Sequence, residues 1–164
     1  MIRIDVSDSF EFQNFWSSGI IQNGFPDYEK ANQFVLDIHD LRGSGQVVGL
    51  ADSGVNLNSC FFKDDKGHVS FEEARSSLPS QLPESSHRKI SRYVKGVIGD
   101  EEDQIGHGTH VAASICGAIK PVDATLTQFD GIARDAKLAF YDIKDANHKA
   151  FVPQTSLEEF FDFA

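Results

Sequence analysis

The sequence predicts an α/β fold: a mostly parallel sheet with helices on both faces, arranged as three layers. Two short apolar runs, 46–51 and 136–143, show no alternation of apolar and polar residues, as is typical of strands buried on both faces of a parallel sheet. Between them, residues 107–119 are mostly small and apolar, which favours a helix packed closely against that sheet. The order of strand, helix and strand is that of α/β domains.

Weaker signals surround these three elements. Apolar residues recur at every third or fourth position over 25–41 and predict a short amphipathic helix there. Residues 93–98 suit a further strand, and Ser156 and Glu159 have the spacing of a capping box at the start of a helix. Residues 63–92 are polar and rich in serine, so we expect an exposed insertion there.

Composition argues against two classes of function. The 164 residues carry a formal net charge of −10, whereas a nucleic-acid partner requires a basic face. No apolar run approaches the roughly 18 residues of a membrane-spanning helix, so we expect no membrane segment in this chain. The two cysteines, Cys60 and Cys116, allow one disulfide bond or none and leave the redox compartment open.

Asp52 closes the first apolar strand, at the edge where open α/β sheets place their functional groups. Gly54 allows a sharp turn directly after it. A carboxylate in this position is partly desolvated and needs hydrogen bonds or a cation to compensate. On its own, however, an Asp-Ser-Gly pattern is more typical of an aspartate that accepts hydrogen bonds from the amides of its own turn.

His107 begins the helix of small residues, between Gly106 and Gly108. The two glycines leave room for a backbone or a substrate beside the ring. The positive end of the helix dipole disfavours the imidazolium, and a buried carboxylate nearby opposes that effect. With Asp52 as that carboxylate, Nδ1–H of His107 points to the acid and Nε2 is free as a base. We therefore predict a hydrogen bond between the two side chains.

His110 raises the alternative of a metal site. It follows His107 by three positions, with a glycine and a threonine between them. The helix of a zinc peptidase instead carries histidines four positions apart with a glutamate between them. The other histidines and the cysteines show no ligand spacing either. We therefore predict no metal at these residues and expect His110 to be a packed structural histidine.

Three segments occur in one order: Gly43–Asn56 (GSGQVVGLADSGVN), Gly106–Ala113 (GHGTHVAA) and Gly131–Phe140 (GIARDAKLAF). They resemble the aspartate block, the histidine block and the following strand-entry segment of the subtilisin-like serine peptidases, and the resemblance extends over about 34–164. It implies a subtilisin-like fold, a polypeptide substrate, no required cofactor, and a secreted or secretory-pathway protein. It also implies a Ser-His-Asp triad in which Asp52 orients His107 as the general base.

The chain departs from that family where the nucleophile is expected. It contains neither a Gly-Thr-Ser-Met-Ala block nor the segment around the oxyanion asparagine. We therefore expect residues 34–164 to be the front part of the peptidase domain, with 1–33 as a lead-in or the tail of a propeptide. The fold is then incomplete here, the serine and asparagine lie beyond this chain, and the chain alone is inactive. The alternative is a truncated, non-catalytic protein or pseudoenzyme that keeps the fold.

Two further expectations follow from the resemblance. Ile143, Lys144 and Asp145 stand where the family begins the strand that flanks its substrate, so their backbone groups are candidates for pairing with an extended peptide. Phe61 stands where the family often has a calcium-ligating aspartate. This sequence therefore does not support the structural calcium ion that the resemblance would allow in the full-length protein.

Overall fold

The computed structural model describes residues 21–22, 24, 35–73, 85–95, 103–120 and 126–144. Its elements, in chain order, are α1 (Val35–Ile38), β1 (Val47–Asp52), β2 (Phe71–Glu73), β3 (Ile90–Lys95), α2 (His107–Cys116), a 3₁₀ turn (Thr127–Phe129) and β4 (Lys137–Asp142). The chain divides into two compact units, 1–39 and 40–164. The domain boundary before residue 34 stays a prediction.

Within unit 1–39 the described residues are 21–22, 24 and 35–39, and they include α1. Val35 and Ile38 are exposed, and the N–H of Leu36 donates a hydrogen bond to Oε1 of Gln22 at 3.1 Å. Of the helix predicted over 25–41, the part over Val35–Ile38 is present. Residues 25–34 lie outside the described ranges, as does the helix predicted to begin at Ser156.

In unit 40–164 the four strands form one all-parallel sheet in the order β1-β4-β3-β2. β4 lies between β1 and β3 and is buried from Leu138 to Asp142. The register aligns Asp52, the last residue of β1, with Asp142, the last residue of β4. The parallel α/β arrangement that the sequence predicted is confirmed, and it places Asp52 at the carboxyl edge of the sheet.

The main core lies between the sheet and α2. Its buried members include Val55, Phe62, Ile90, Tyr93, Leu138 and Phe140, together with Ala112 and Cys116 of α2. The ring of Tyr93 packs edge-on against Phe71, with 5.1 Å between centroids. The Tyr93 hydroxyl accepts a hydrogen bond from the N–H of Val55 at 3.2 Å. A buried tyrosine of this kind contributes apolar area and one polar contact, which here ties the turn after β1 to the core.

The exposure of β1 differs from the prediction of a strand buried on both faces. Val47 is 49% exposed and Gly49 is also exposed, whereas Leu50 is half-buried. Among the described strands, β1 is hydrogen-bonded only to β4 and therefore stands at an edge of the sheet. The apolar run predicted the strand but not its place in the sheet, because strand order depends on the whole topology. Among the described strands, β4 is buried on both faces.

The segment 63–92, predicted to be an exposed insertion, is partly exposed in its described ranges 63–73 and 85–92. Residues 63, 65, 66, 68 and 86 are exposed. β2 and the start of β3 nevertheless fall within the segment, and five of its described residues are buried: Val69, His87, Lys89, Ile90 and Arg92. Nζ of Lys89 donates to the carbonyl oxygens of Arg134 and Ala136, and Nδ1 of His87 accepts from the N–H groups of Lys89 and Ile90. Polar side chains with such hydrogen-bond partners can be buried. The polar composition of the segment does not reveal these partners and so predicted exposure.

Composition left open whether the two cysteines form a disulfide bond, and it predicted no membrane-spanning segment. Cys60 is exposed, Cys116 is buried in the core, and both are free thiols, so the two do not form a disulfide bond with each other. None of the helices in the described ranges combines the length and apolar composition needed to cross a bilayer.

Glu72 and Arg92 join β2 to β3 by a buried ion pair. Nε and Nη2 of Arg92 donate to the Glu72 carboxylate at 3.0 and 2.9 Å, and the two side chains are only 7% and 11% exposed. We expect Glu72→Ala to lower the free energy of unfolding by about 3 kcal/mol in urea denaturation, because the guanidinium stays buried without this counter-charge. Asp65→Ala is the control, since Asp65 pairs with Lys63 on the exposed surface and its loss costs under about 1 kcal/mol. Equal losses would contradict this prediction.

Candidate active site

Asp52 ends β1 with a carboxylate that is 14% exposed. Its Oδ1 accepts a hydrogen bond from the N–H of Ser53 at 2.7 Å, so the side chain is held by its own turn, as the simpler interpretation of Asp-Ser-Gly predicted. Gly54 follows with a φ of 116°, a conformation that favours glycine. One amide does not use up the acceptor capacity of a carboxylate, which remains able to bind a second donor.

That second donor is His107, the first residue of α2. Its Nδ1 lies 2.8 Å from Oδ1 and 3.0 Å from Oδ2 of Asp52. Since an ionised carboxylate only accepts hydrogen bonds, Nδ1 carries the proton, and Nε2 is the unprotonated nitrogen of the neutral ring. The predicted contact between the two side chains is therefore present. The His107 side chain is 67% exposed, so the ring is accessible from solvent.

Asp52 also affects the charge of the ring. The hydrogen bond to Asp52, and then its charge, raise the pKa of His107 above the ordinary value of 6.5, although desolvation opposes the shift. The charge of Asp103 adds to the increase. Together the two carboxylates outweigh the desolvation of the ring, which disfavours the imidazolium. A raised pKa makes the neutral ring a stronger proton acceptor.

The close approach of α2 to the end of β1 depends on Gly108. A Cβ at this position would lie 2.2 Å from the carbonyl oxygen of Gly54 and 3.1 Å from the backbone nitrogen of Ser53. A Cβ on Gly106 would meet no atom within 4 Å, but the φ of this residue is 83°. The two glycines beside His107 therefore act differently: Gly108 permits the backbone contact, and Gly106 permits the turn into the helix.

Sequence patterns did not single out Asp103, which contacts both elements of the site. Its carboxylate accepts hydrogen bonds from Oγ of Ser53 at 3.0 Å and from the N–H of Thr109 at 2.7 Å. The available signal was an aspartate placed three positions before Gly106, as in turns where a carboxylate accepts from later amides. The run of four acids at 100–103 conceals that signal, because each acid also suits a solvated surface.

His110 is exposed, so the prediction of a packed structural histidine is wrong. α2 buries Gly108, Ala112 and Cys116, which recur every four residues and form one face of the helix. His110 does not belong to that series. Its carbonyl oxygen accepts a hydrogen bond from Oγ of Ser114 at 2.9 Å.

Ile143 and Lys144 directly follow β4. The N–H of Ile143 donates to the carbonyl oxygen of Asp52 at 2.9 Å, and the N–H of Lys144 donates to Oδ1 of Asp142 at 2.9 Å. Both amides are therefore engaged within the protein, and neither is available to donate to a peptide in this conformation. Asp145 lies outside the described ranges. The substrate-binding role of the three residues stays a prediction.

The serine hydroxyls near the site are engaged elsewhere. Oγ of Ser53 donates to Asp103 and accepts from the N–H of Gly108 at 3.0 Å. Oγ of Ser114 donates to the backbone one turn earlier in α2. In the described part of the chain, the His107 ring is hydrogen-bonded to Asp52 and to no serine.

Phe61 stands where the resemblance would place a calcium-ligating aspartate. Its half-buried side chain packs against the core, and its carbonyl oxygen already accepts hydrogen bonds from the N–H of Ala118 and from Nη2 of Arg88. Calcium requires several oxygen ligands, and this position offers none that is uncommitted. Across the ranges that the structure describes, no group of three or more His, Cys, Asp or Glu residues is placed to hold a metal ion.

Residues 43–156, which carry β1, α2 and β4 and hence the Asp52–His107 pair, match the model of the subtilase family. This chain belongs to the subtilase family. Members of this family are serine-type peptidases, so polypeptides are the substrates expected at the level of the family.

Individual subtilase relatives are much longer than this chain. The serine protease/ABC transporter B family proteins tagB and tagD of Dictyostelium discoideum are 35% and 34% identical to it over 115 and 123 residues, or 70% and 74% of this chain. The subtilisin-like protease SBT3.16 of Arabidopsis thaliana is 29% identical over an alignment of 136 residues that covers 68% of this chain. The matched regions cover 6% of each Dictyostelium protein and 18% of the Arabidopsis protein.

Proposed function

We propose that the gene product to which this subtilase chain belongs is a serine endopeptidase with Asp52 and His107 as two members of a Ser-His-Asp triad. The observation that carries the proposal is the contact of Nδ1 of His107 with both carboxylate oxygens of Asp52, at 2.8 and 3.0 Å. This contact favours the ring tautomer that a general base needs. Membership of a family of serine-type peptidases supports it independently.

In the proposed reaction, Nε2 of His107 takes the proton of a serine hydroxyl while the serine oxygen attacks the carbonyl carbon of the scissile bond. His107 then gives this proton to the leaving amine, and water hydrolyses the acyl-serine by the same route. Asp52 keeps the ring oriented and stabilises the imidazolium. In this proposal the serine and the oxyanion asparagine lie beyond residue 164. This chain alone is therefore proposed to have no peptidase activity.

The proposed substrate is an extended polypeptide that passes beside residues 143–145. Since the amides of Ile143 and Lys144 are engaged, pairing at these two residues would use their carbonyl groups as acceptors. The proposal includes no cofactor, because a triad supplies both nucleophile and base. By resemblance to the family, it places the protein in the secretory pathway or outside the cell.

A serine-directed fluorophosphonate and a fluorogenic peptide test this proposal on the full gene product. We expect one labelled serine downstream of residue 164, and loss of peptide hydrolysis in proportion to the labelling. The 164-residue chain serves as the control and is expected neither to react nor to cleave. If the full gene product also fails in both assays, the proposal is wrong, and the chain belongs to a non-catalytic protein that keeps the peptidase fold.

A further inference from the structure

The loop before α2 is organised around one carboxylate. Oδ1 of Asp103 accepts hydrogen bonds from the N–H of Gly106 at 2.8 Å, from the N–H of Ile105 at 3.3 Å and from Oγ of Ser53 at 3.0 Å. Oδ2 accepts from the N–H of Thr109 at 2.7 Å. Asp103 thus binds the loop, the first turn of α2 and the residue that follows Asp52.

The start of α2 needs such a partner. Gly106, at the N-cap position, has no side chain to bind the free amides of the first turn. The N–H of Gly108 instead donates to Oγ of Ser53 at 3.0 Å, and the N–H of Thr109 donates to Asp103. The Ser53 hydroxyl donates to Asp103 in turn. A hydroxyl and a carboxylate therefore join the first turn of α2 to the end of β1.

We propose that Asp103 is a positioning residue for the proposed peptidase reaction: it holds the first turn of α2 against the end of β1, so that His107 meets Asp52. The inference rests on the proposed function only for its catalytic consequence. Asp52 and Ser53 are consecutive, as are His107 and Gly108, so a bond between Ser53 and Gly108 directly limits the distance between the catalytic side chains. Asp103 does not touch His107 through any hydrogen bond and acts through the backbone that carries it.

Asp103 is suited to this task because it stays ionised. Burial raises its pKa, but hydrogen bonds from Thr109, Gly106 and Ser53 more than offset this, and the pKa lies below the ordinary 3.8. Hydrogen bonds to an ionised acceptor are roughly twice as strong as neutral ones. The same negative charge contributes to the raised pKa of His107.

A simple helix cap would stabilise α2 without affecting the ring of His107, so the test reads the ring directly. We compare Asp103→Ala and Asp103→Asn by NMR in the 164-residue chain with ¹⁵N-labelled histidine. We expect Asp103→Ala to lower the pKa of His107 and to remove the slowly exchanging Nδ1–H signal. We expect Asp103→Asn to lower the pKa but to keep this signal, since its Oδ1 can still accept from Ser53 and Gly106. In the full gene product, Asp103→Ala is expected to lower kcat about 10²-fold with little change in KM.

Asp64→Ala is the matched control. The Asp64 carboxylate also accepts three backbone hydrogen bonds, from the N–H groups of Lys66, Gly67 and Arg88. Its loss is expected to lower the Tm while leaving the pKa and Nδ1–H signal of His107 unchanged. The proposal is wrong if Asp103→Ala lowers only the Tm, or if Asp64→Ala changes the ring as much. Should Asp103→Ala fail to fold, Ser53→Ala replaces it, because it removes the hydroxyl that links Asp103 to the N–H of Gly108; an unchanged Nδ1–H signal of His107 in that variant overturns the proposal. If the His107 ring changes as expected in Asp103→Ala but the full gene product has no peptidase activity, the proposed function is wrong and the positioning role of Asp103 still holds.

Discussion

Asparagine in place of Asp52 is expected to lower the kcat of the full gene product about 10⁴-fold, with little change in KM. The Asp52 carboxylate accepts a hydrogen bond from Nδ1–H of His107, and Nδ1 lies 2.8 and 3.0 Å from its two oxygens. An asparagine amide can instead donate to Nδ1, which favours the tautomer with the proton on Nε2. In that tautomer the ring cannot take a proton from the serine, although its position is nearly unchanged. Steady-state kinetics with a fluorogenic peptide measure the effect.

The pH dependence of the same variant gives a second measurement. Asp52 is the largest cause of the raised pKa of His107, and the base is active only when neutral. In the wild-type protein, kcat/KM is therefore expected to rise with pH along a limb centred above 6.5. In Asp52→Asn the pKa falls, so the limb moves to lower pH while the plateau drops.

Asp130→Asn provides the control for this prediction. Asp130 is a half-buried aspartate after α2, and its Oδ1 accepts a hydrogen bond from the N–H of Ile119 at 2.8 Å, which an asparagine oxygen can replace. We expect its kcat and pH profile to match those of the wild type. Activity of Asp52→Asn within tenfold of the wild type would show that Asp52 does not orient the base, and an unshifted limb would show that Asp52 does not raise the pKa of His107.

Gly108→Ala is expected to lower the free energy of unfolding by about 3 kcal/mol. Within a helix, alanine is normally more stable than glycine by about 0.5–1 kcal/mol, so helix propensity alone predicts the opposite sign. The steric effect is larger, because the added Cβ would lie 2.2 Å from the carbonyl oxygen of Gly54 and must push α2 away from the end of β1. Urea denaturation of the 164-residue chain measures the difference.

Gly106→Ala is the control for this prediction, because it adds backbone strain without a steric clash. A Cβ on Gly106 meets no atom within 4 Å, but the φ of 83° is unfavourable for alanine. We expect a loss of about 1–2 kcal/mol from this strain alone. Gly108→Ala is also expected to shift the ring of His107 and to lower kcat, since the helix displaced by the new Cβ carries that ring. A Gly108→Ala variant as stable as the wild type would mean that the contact with Gly54 is looser than the structure shows.

Local patterns were sufficient for the parts of the fold that local physics governs. The apolar run at 136–143 and the small residues at 107–119 correspond to β4 and α2, which end within three residues of the predicted limits. The same patterns failed for His87 and Lys89, which are buried although polar. Burial there depends on the Arg134 and Ala136 carbonyl oxygens and on nearby amides, partners that no hydrophobic period records.

The sequence by itself identified Asp52 and His107 as the candidate pair. An acid at the end of an apolar strand and a histidine at the start of a helix of small residues are both local features. Only the tertiary structure brought Asp52 and His107, 55 positions apart, into hydrogen-bonding distance. It also decided that β1 is an edge among the described strands, and that Asp103 binds Ser53. The physical reason is that strand order and long-range hydrogen bonds depend on how the whole chain packs, whereas sequence periodicity reports only on neighbouring residues.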